Sequence, residues 1–249
     1  MSTNNKFVEK RKMDIKNSNL DIILKRFGYD YDKSYDCNNW KQSIQYRKTS
    51  STGGAPSSCN LPLQGQNDED EDITCNHFTK LMFLMINVYN IPNGFSILKN
   101  YVLAFPDEID KKNTNQWTAL HIAIRNSEKF SNKKGLEIIQ ILLENGADVN
   151  LPDNFGWTPL MFAVEYSNLE IVRLLLNKNA DVNSINKDGL TVLMIAAQKS
   201  SKECNPTSVY LEAIKILLKK GDYVNVINKE NKTFYDYMPR KYIQEHLNI

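Results

Sequence analysis

Apolar residues recur at helical spacing along the C-terminal two thirds of the chain, in short stripes broken by polar turns. Within 158–176, Leu160, Ala163, Val164, Ile171, Leu174 and Leu175 form two such stripes, separated by Tyr166-Ser167-Asn168. Helices of about eight residues are marginal in water. Each pair must therefore bury its apolar face against the next pair, which predicts a stacked, all-α solenoid. Small Ala123, Ala163 and Ala196 suit close helix approach, and Gly146, Gly156, Gly189 and Gly221 suit tight turns.

The stripes belong to units that repeat in sequence. The clearest is DNFGWTPLMFAVEYSNLEIVRLLLNKNADVNSIN (153–186). NTNQWTALHIAIRN (113–126) and GLEIIQILLENGADVNLPD (135–153) precede it, and NKDGLTVLMIAAQK (186–199) and YLEAIKILLKKGDYVNVIN (210–228) follow. An upstream copy starts at Thr79 and closes with FPDEIDKKN (105–113), and a partial one carries Thr233. From Thr79 through Thr118, Thr158 and Thr191 to Thr233 the intervals are 39, 40, 33 and 42 residues. The three long intervals carry insertions near 88–95, 126–135 and 198–209. These read either as solvated loops or as a second, adaptable contact surface on one edge of the array.

These residues resemble the ankyrin-repeat family, whose pattern is a TPLHxAA helix, an EIVxLLL helix and a GADVNxxD turn on a 33-residue period. The likeness covers about residues 76–240, with repeats at about 76–112, 113–153, 154–186 and 187–228, a partial copy at 229–240 and a C-terminal capping tail at 241–249. It departs from the pattern at the ends: Thr79-Lys80-Leu81-Met82 lacks the proline, and Pro106 stands where the turn glycine belongs.

The resemblance implies binding of partner proteins through hairpin tips and the exposed side of each first helix. Matched by position, this gives Trp117 and Arg125, with Thr114, Asn115 and Asn126, in one repeat. The next gives Asn154, Phe155, Trp157, Glu165 and Tyr166. The third gives Asp188, Leu190 and Lys199, with Lys187 and Gln198. Trp117, Trp157 and Leu190 precede equivalent threonines and are expected to line a concave groove as an exposed row; the competing reading packs both tryptophans against adjacent hairpins. His121, at the TALH position, is expected to join repeats structurally. Asn150 and Asn183 look like the asparagines hydroxylated in such domains, though their ordinary role is to fix a turn. The 30 asparagines, with abundant Lys, Ile and Tyr, are similar to ankyrin proteins of AT-rich genomes, notably giant DNA viruses of amoebae. That origin would imply host protein partners and a place in the host cytoplasm.

Residues 1–75, rich in Asn, Lys, Ser and Asp, read as mostly disordered. One short amphipathic helix is expected near 19–27, where Leu20, Ile23, Leu24 and Phe27 share a face. It either packs on the following domain or serves as a ligand for a second protein. In the latter case the chain is an adaptor, for example toward a ubiquitin ligase. The acidic run Asp68 to Asp72 lacks the glycine and distal glutamate of a calcium loop and reads as a solvated spacer.

The net charge of +2 gives no footprint for nucleic acid, since residues 76–249 balance 20 Lys/Arg against 18 Asp/Glu. The apolar run Leu81 to Ile91 is about half the ~20 residues a spanning helix needs, so no membrane is expected, and the start of the chain lacks a secretory signal. Cys37, Cys59, Cys75 and Cys204 form no CxxC pair and read as free thiols. His77, His121 and His246 assemble no site, and no nucleophile, phosphate-loop or metal motif is present. The expectation is a binding module without catalysis, cofactor, metal or small-molecule substrate.

Overall fold

The computed structural model describes residues 78–127, 132–166, 168–202, 209–220 and 225–238, with Lys10, Leu20, Ile22 and Leu24. The acidic run, the four cysteines, His77, His246, Gly221 and the tail 241–249 lie outside the described residues. Nine helices follow one another among them: α1 (Lys80–Ile86), α2 (Gly94–Ala104), α3 (Ala119–Arg125), α4 (Asn132–Glu144), α5 (Pro159–Glu165), α6 (Leu169–Asn177), α7 (Val192–Lys202), α8 (Val209–Leu218) and α9 (Phe234–Tyr237).

The five repeated threonines are five helix N-caps. Thr79, Thr158 and Thr191 accept a hydrogen bond through Oγ1 from the backbone N–H three residues on, at 3.2, 3.4 and 3.2 Å. Thr118 and Thr233 form capping boxes with His121 and Asp236. A cap satisfies N–H groups that a seven-residue helix cannot pair internally, so the threonine decides where each first helix begins. At the other end of the two central pairs, Gly146 and Asn179 adopt φ of 94° and 61°. Gly146 and Ala147 donate to Leu143 and Leu142, and Asn179 and Ala180 to Leu176 and Leu175, which closes α4 and α6 as Schellman motifs.

Helices α1, α3, α5, α7 and α9 stack in one layer, and α2, α4, α6 and α8 back them. The residue three past each of the first four caps, Met82, His121, Met161 or Met194, is wholly buried, as is Leu120, while Leu160 is 1% exposed. Burial of each such methionine or leucine side chain stabilises by about 1.5–3 kcal/mol. Leu20 and Leu24, both helical, are buried in the same core, whereas Ile22 is exposed.

The insertions are absorbed as structure where they are described. In 87–93, Val88 and Ile91 are buried and Tyr89 packs edge-on to Phe95 at 5.2 Å. Gly94 starts α2 so close to this loop that a Cβ would lie 2.0 Å from the Val88 carbonyl oxygen. The third insertion lengthens α7 to 11 residues, against seven in α3 and α5.

Between helix pairs the chain makes the same five-residue hairpin turn four times, at 113–117, 153–157, 186–190 and 228–232. In each, the first residue (Asn113, Asp153, Asn186 or Asn228) exchanges backbone bonds with the fourth and fifth at 2.9–3.0 Å. Its side-chain Oδ1 accepts the N–H of the fifth at 2.8–2.9 Å. The fourth residue, Gln116, Gly156, Gly189 or Asn231, takes φ of 58–78°. No strand forms among the described residues beyond the single bridge Ile185–Thr191.

Candidate partner-binding surface

Successive hairpins are joined at their tips by one backbone bond each. Asn154 N–H donates to Asn115 O at 3.0 Å, Lys187 to Phe155 at 2.9 Å and Lys229 to Asp188 at 3.0 Å. Asn154 adds a side-chain bond to Thr114 O. The ladder explains the turn glycines: a Cβ at Gly156 would lie 3.0 Å from Lys187 N, and one at Gly189 would lie 2.9 Å from Asn228 Cα. Tips therefore sit in strict register, and equivalent side chains line up along the stack.

The residue before each of the first four capping threonines forms such a row: Phe78, Trp117, Trp157 and Leu190. All four are half-buried and packed on the core, so the row is less exposed than the sequence suggested. Its organiser is Phe162. Trp117, His121 and Trp157 meet the Phe162 ring edge-on at 5.7, 5.4 and 5.6 Å, and Tyr166 stacks on it at 6.3 Å. Sequence reasoning missed Phe162 because it falls at the variable position of the first helix; its bulk beside two tryptophans was the available signal. Phe78 was missed as well, although it precedes Thr79 as Trp117 precedes Thr118.

Both readings of the tryptophans describe part of this geometry. Trp117 packs against the next hairpin, donating Nε1–H to Asp153 Oδ2 at 3.1 Å. The Arg125 guanidinium covers its ring at 4.8 Å. Glu165 and Lys199, expected as separate contacts, form an ion pair with each other across α5 and α7. Asn154 and Asp188 are exposed at the tips, and Phe155 is 64% exposed. Ile185 and Ile227, each just before a hairpin, are 56% and 62% exposed and extend the apolar strip; sequence reasoning passed over them.

His121 lies beneath this surface. Thr118 N–H donates to Nδ1 at 3.1 Å, which leaves Nε2 to carry the proton and face Trp157 O at 3.3 Å. Burial pushes its pKa down to about 4. A wholly buried neutral imidazole bridging two repeats is structural. Asn150 is likewise structural, its Oδ1 accepting Asp181 N–H of the next repeat at 2.8 Å. Asp110 fills the corresponding place one repeat earlier, accepting Asp148 N–H with both oxygens. Desolvation, with the nearby Asp148 charge, raises its pKa.

No helix among the described residues is long and apolar enough to cross a membrane. No group of three His, Cys, Asp or Glu among them could hold a metal ion.

A family model described as ankyrin repeats (3 copies) matches residues 84–184 and 129–228. Two ankyrin repeat proteins of Acanthamoeba polyphaga mimivirus are 38% and 39% identical to the chain over 90 residues each. Each alignment covers 36% of this chain and 14% and 15% of the respective relative. The chain thus matches about one seventh of these much longer proteins. Ankyrin repeats generally mediate protein–protein interaction and are generally non-catalytic. With capped helix pairs, tip-bonded hairpins and a matching model over most of the described residues, the chain belongs to the ankyrin-repeat family.

Proposed function

We propose that this chain is a non-catalytic module that holds a partner protein in the groove formed by the hairpins and the first helices of its repeats. The observation that carries the reading is the aromatic floor of Trp117, Phe162, Trp157 and Tyr166, bordered by exposed Phe155, Ile185 and Ile227. Half-buried aromatics held rigid by one another offer contact area at low entropic cost, which is the make-up of an interface hot spot. Arg125, Asn154, Glu165, Asp188, Leu190 and Lys199 border the floor as polar and apolar rim. The viral affiliation of the relatives supports a host protein as partner and the host cytoplasm as the place of action.

The adaptor reading, in which the amino-terminal segment recruits a second protein such as a ubiquitin ligase, has less support. Leu20 and Leu24 are spent in the core rather than presented to a partner.

The test uses the exposed strip, because replacing the tryptophans would also disturb the packing around Phe162. Affinity capture from an Acanthamoeba extract is compared for the wild type and a Phe155→Ser/Ile185→Ser/Ile227→Ser variant. A protein retained by the first and lost by the second, at equal thermal stability, supports the groove. Identical captures would refute it.

A further inference from the structure

The first helix of the array is buried like an internal one. In α1, Leu81 to Met85 are all buried, as Ala119 to Ile124 are in α3 and Pro159 to Val164 in α5. At 3.6 residues per turn, five consecutive positions point in every direction around a helix. Helices α3 and α5 have a first helix on either side and a second helix behind them. Helix α1 meets α3 on one side and α2 behind, and among the described residues no helix pair precedes it. At the opposite end of the array, α9 buries only Phe234 of its four residues, as expected for a helix with a first-helix neighbour on one side alone.

Phe83 identifies the face in question. It stands four residues past Thr79 as Phe162 stands four past Thr158. In α5 that position is turned to the preceding repeat, where the Phe162 ring meets Trp117 and His121 at 5.7 and 5.4 Å. Phe83 therefore points to where a preceding repeat would lie, and it is 2% exposed. Upstream of Phe78 the buried residues among those described are Leu20 and Leu24, which belong to the same continuous core. Both are helical and four positions apart, so they share one face. Ile22, two positions from each, points the other way and is exposed.

We infer that the outward face of α1, around Phe83, is a docking surface for an amphipathic helix, and that the chain's own Leu20 and Leu24 occupy it in place of a preceding repeat. A repeat array needs an end element that is apolar inward and tolerates water outward. Two inward leucines cover the ring that Trp117 and His121 cover in the internal case. Leu24 and Phe78 are 54 positions apart in the sequence, so the cap is a separate element that docks on α1 rather than an extension of it. Its release would act mainly on the first repeat, because the units of such an array draw their stability from their nearest neighbours. A protein that recruited this helix would uncover Phe83, so capping and recruitment through Leu20 and Leu24 exclude each other.

The inference does not rest on the groove reading. Native-state hydrogen exchange is followed in the full chain for the wild type, Leu20→Ala/Leu24→Ala and Ile22→Ala. Expected in the double variant is exchange about tenfold or more faster at the amides of Phe83 and Asn87, which bond to the Thr79 and Phe83 carbonyls, with little change in α7. Ile22→Ala should leave α1 as in the wild type. A synthetic peptide of residues 14–29 added to the double variant should restore α1 protection, and the same peptide with both leucines changed to alanine should not. Unchanged α1 protection, a loss spread evenly from α1 to α7, or no rescue by the peptide overturns the inference. So does α1 protection that rises with wild-type concentration, which would put the helix of a second copy on the face. Should the double variant not fold, Leu24→Ala and Phe83→Ala are compared singly and together in urea. Stability losses that simply add overturn the contact, and losses that combine to less than their sum support it.

Discussion

His121 Nε2 and the Trp157 carbonyl oxygen face each other at 3.3 Å, joining the first helix of one repeat to the hairpin of the next. The pair of bonds requires a neutral imidazole, because Nδ1 must stay unprotonated to accept the Thr118 N–H while Nε2–H donates to the Trp157 carbonyl. With a folded pKa of about 4 against 6.5 unfolded, the unfolded chain binds the extra proton between these values. Stability is therefore full above about pH 6.5 and falls as pH drops toward 4, at up to about 1.4 kcal/mol per unit. Urea titrations across this range should show the slope in the wild type and lose it in His121→Leu.

Gln116 holds φ of 60° where two of the other hairpins use glycine. The left-handed conformation costs a side-chain-bearing residue about 1–2 kcal/mol. Part of this returns through the lower flexibility of the unfolded chain. Gln116→Gly should stabilise the protein by about 0.5–1 kcal/mol, read as a rise in the urea midpoint at constant slope.

The reverse change has two penalties. Gly189→Ala adds the conformational cost at φ of 78° and a contact of 2.9 Å with Asn228 Cα, a backbone atom that cannot swing aside. A loss of about 2 kcal/mol or more is expected, with faster amide exchange at Lys229, whose N–H bonds to Asp188 O.

Phe162→Ala removes the ring that four aromatic side chains share. At 7% exposure the loss should be about 3 kcal/mol. Tryptophan emission should shift to the red in the folded state, because Trp117 and Trp157 both lose their edge contact.

Charge removal on the outer helices should do little. Arg173 and Glu212 pair at 3.0 Å but are 52% and 45% exposed, so Arg173→Ala should change stability by less than about 0.5 kcal/mol. A larger loss in thermal melts would mean that the pair aligns α6 on α8.

The repeat was legible because its signals are local. A threonine caps whatever helix follows it, so Thr79, Thr118, Thr158, Thr191 and Thr233 marked five helix starts without knowledge of packing. What escaped depends on register between repeats. Phe162 became visible once α3 and α5 were stacked and both tryptophans were brought to its edges. Gln116 escaped because its strain is imposed by a hairpin whose hydrogen bonds, not its composition, set the φ. The loop at 88–95 reads as polar from Asn90, Pro92 and Asn93, yet Val88 and Ile91 turn inward, a choice made by the cavity beside α2. The half-burial of the tryptophan row was illegible for a related reason: position in a repeat says which way a side chain points, and its neighbour's size says how far it is covered.

The tip bonds have a mechanical consequence. Each spans 2.9–3.0 Å between backbone atoms and cannot lengthen without breaking, whereas the helix layers meet mainly through apolar contacts and through side-chain pairs such as Glu165–Lys199 and Arg173–Glu212, which can follow a small shift by changing rotamer. The hairpin edge thus behaves like the spine of a book and the helices like its pages: the stack changes curvature by fanning about the tips. A ligand gripping several hairpins at once would meet an edge of fixed length, and adjustment to its shape would be borne by the helical side.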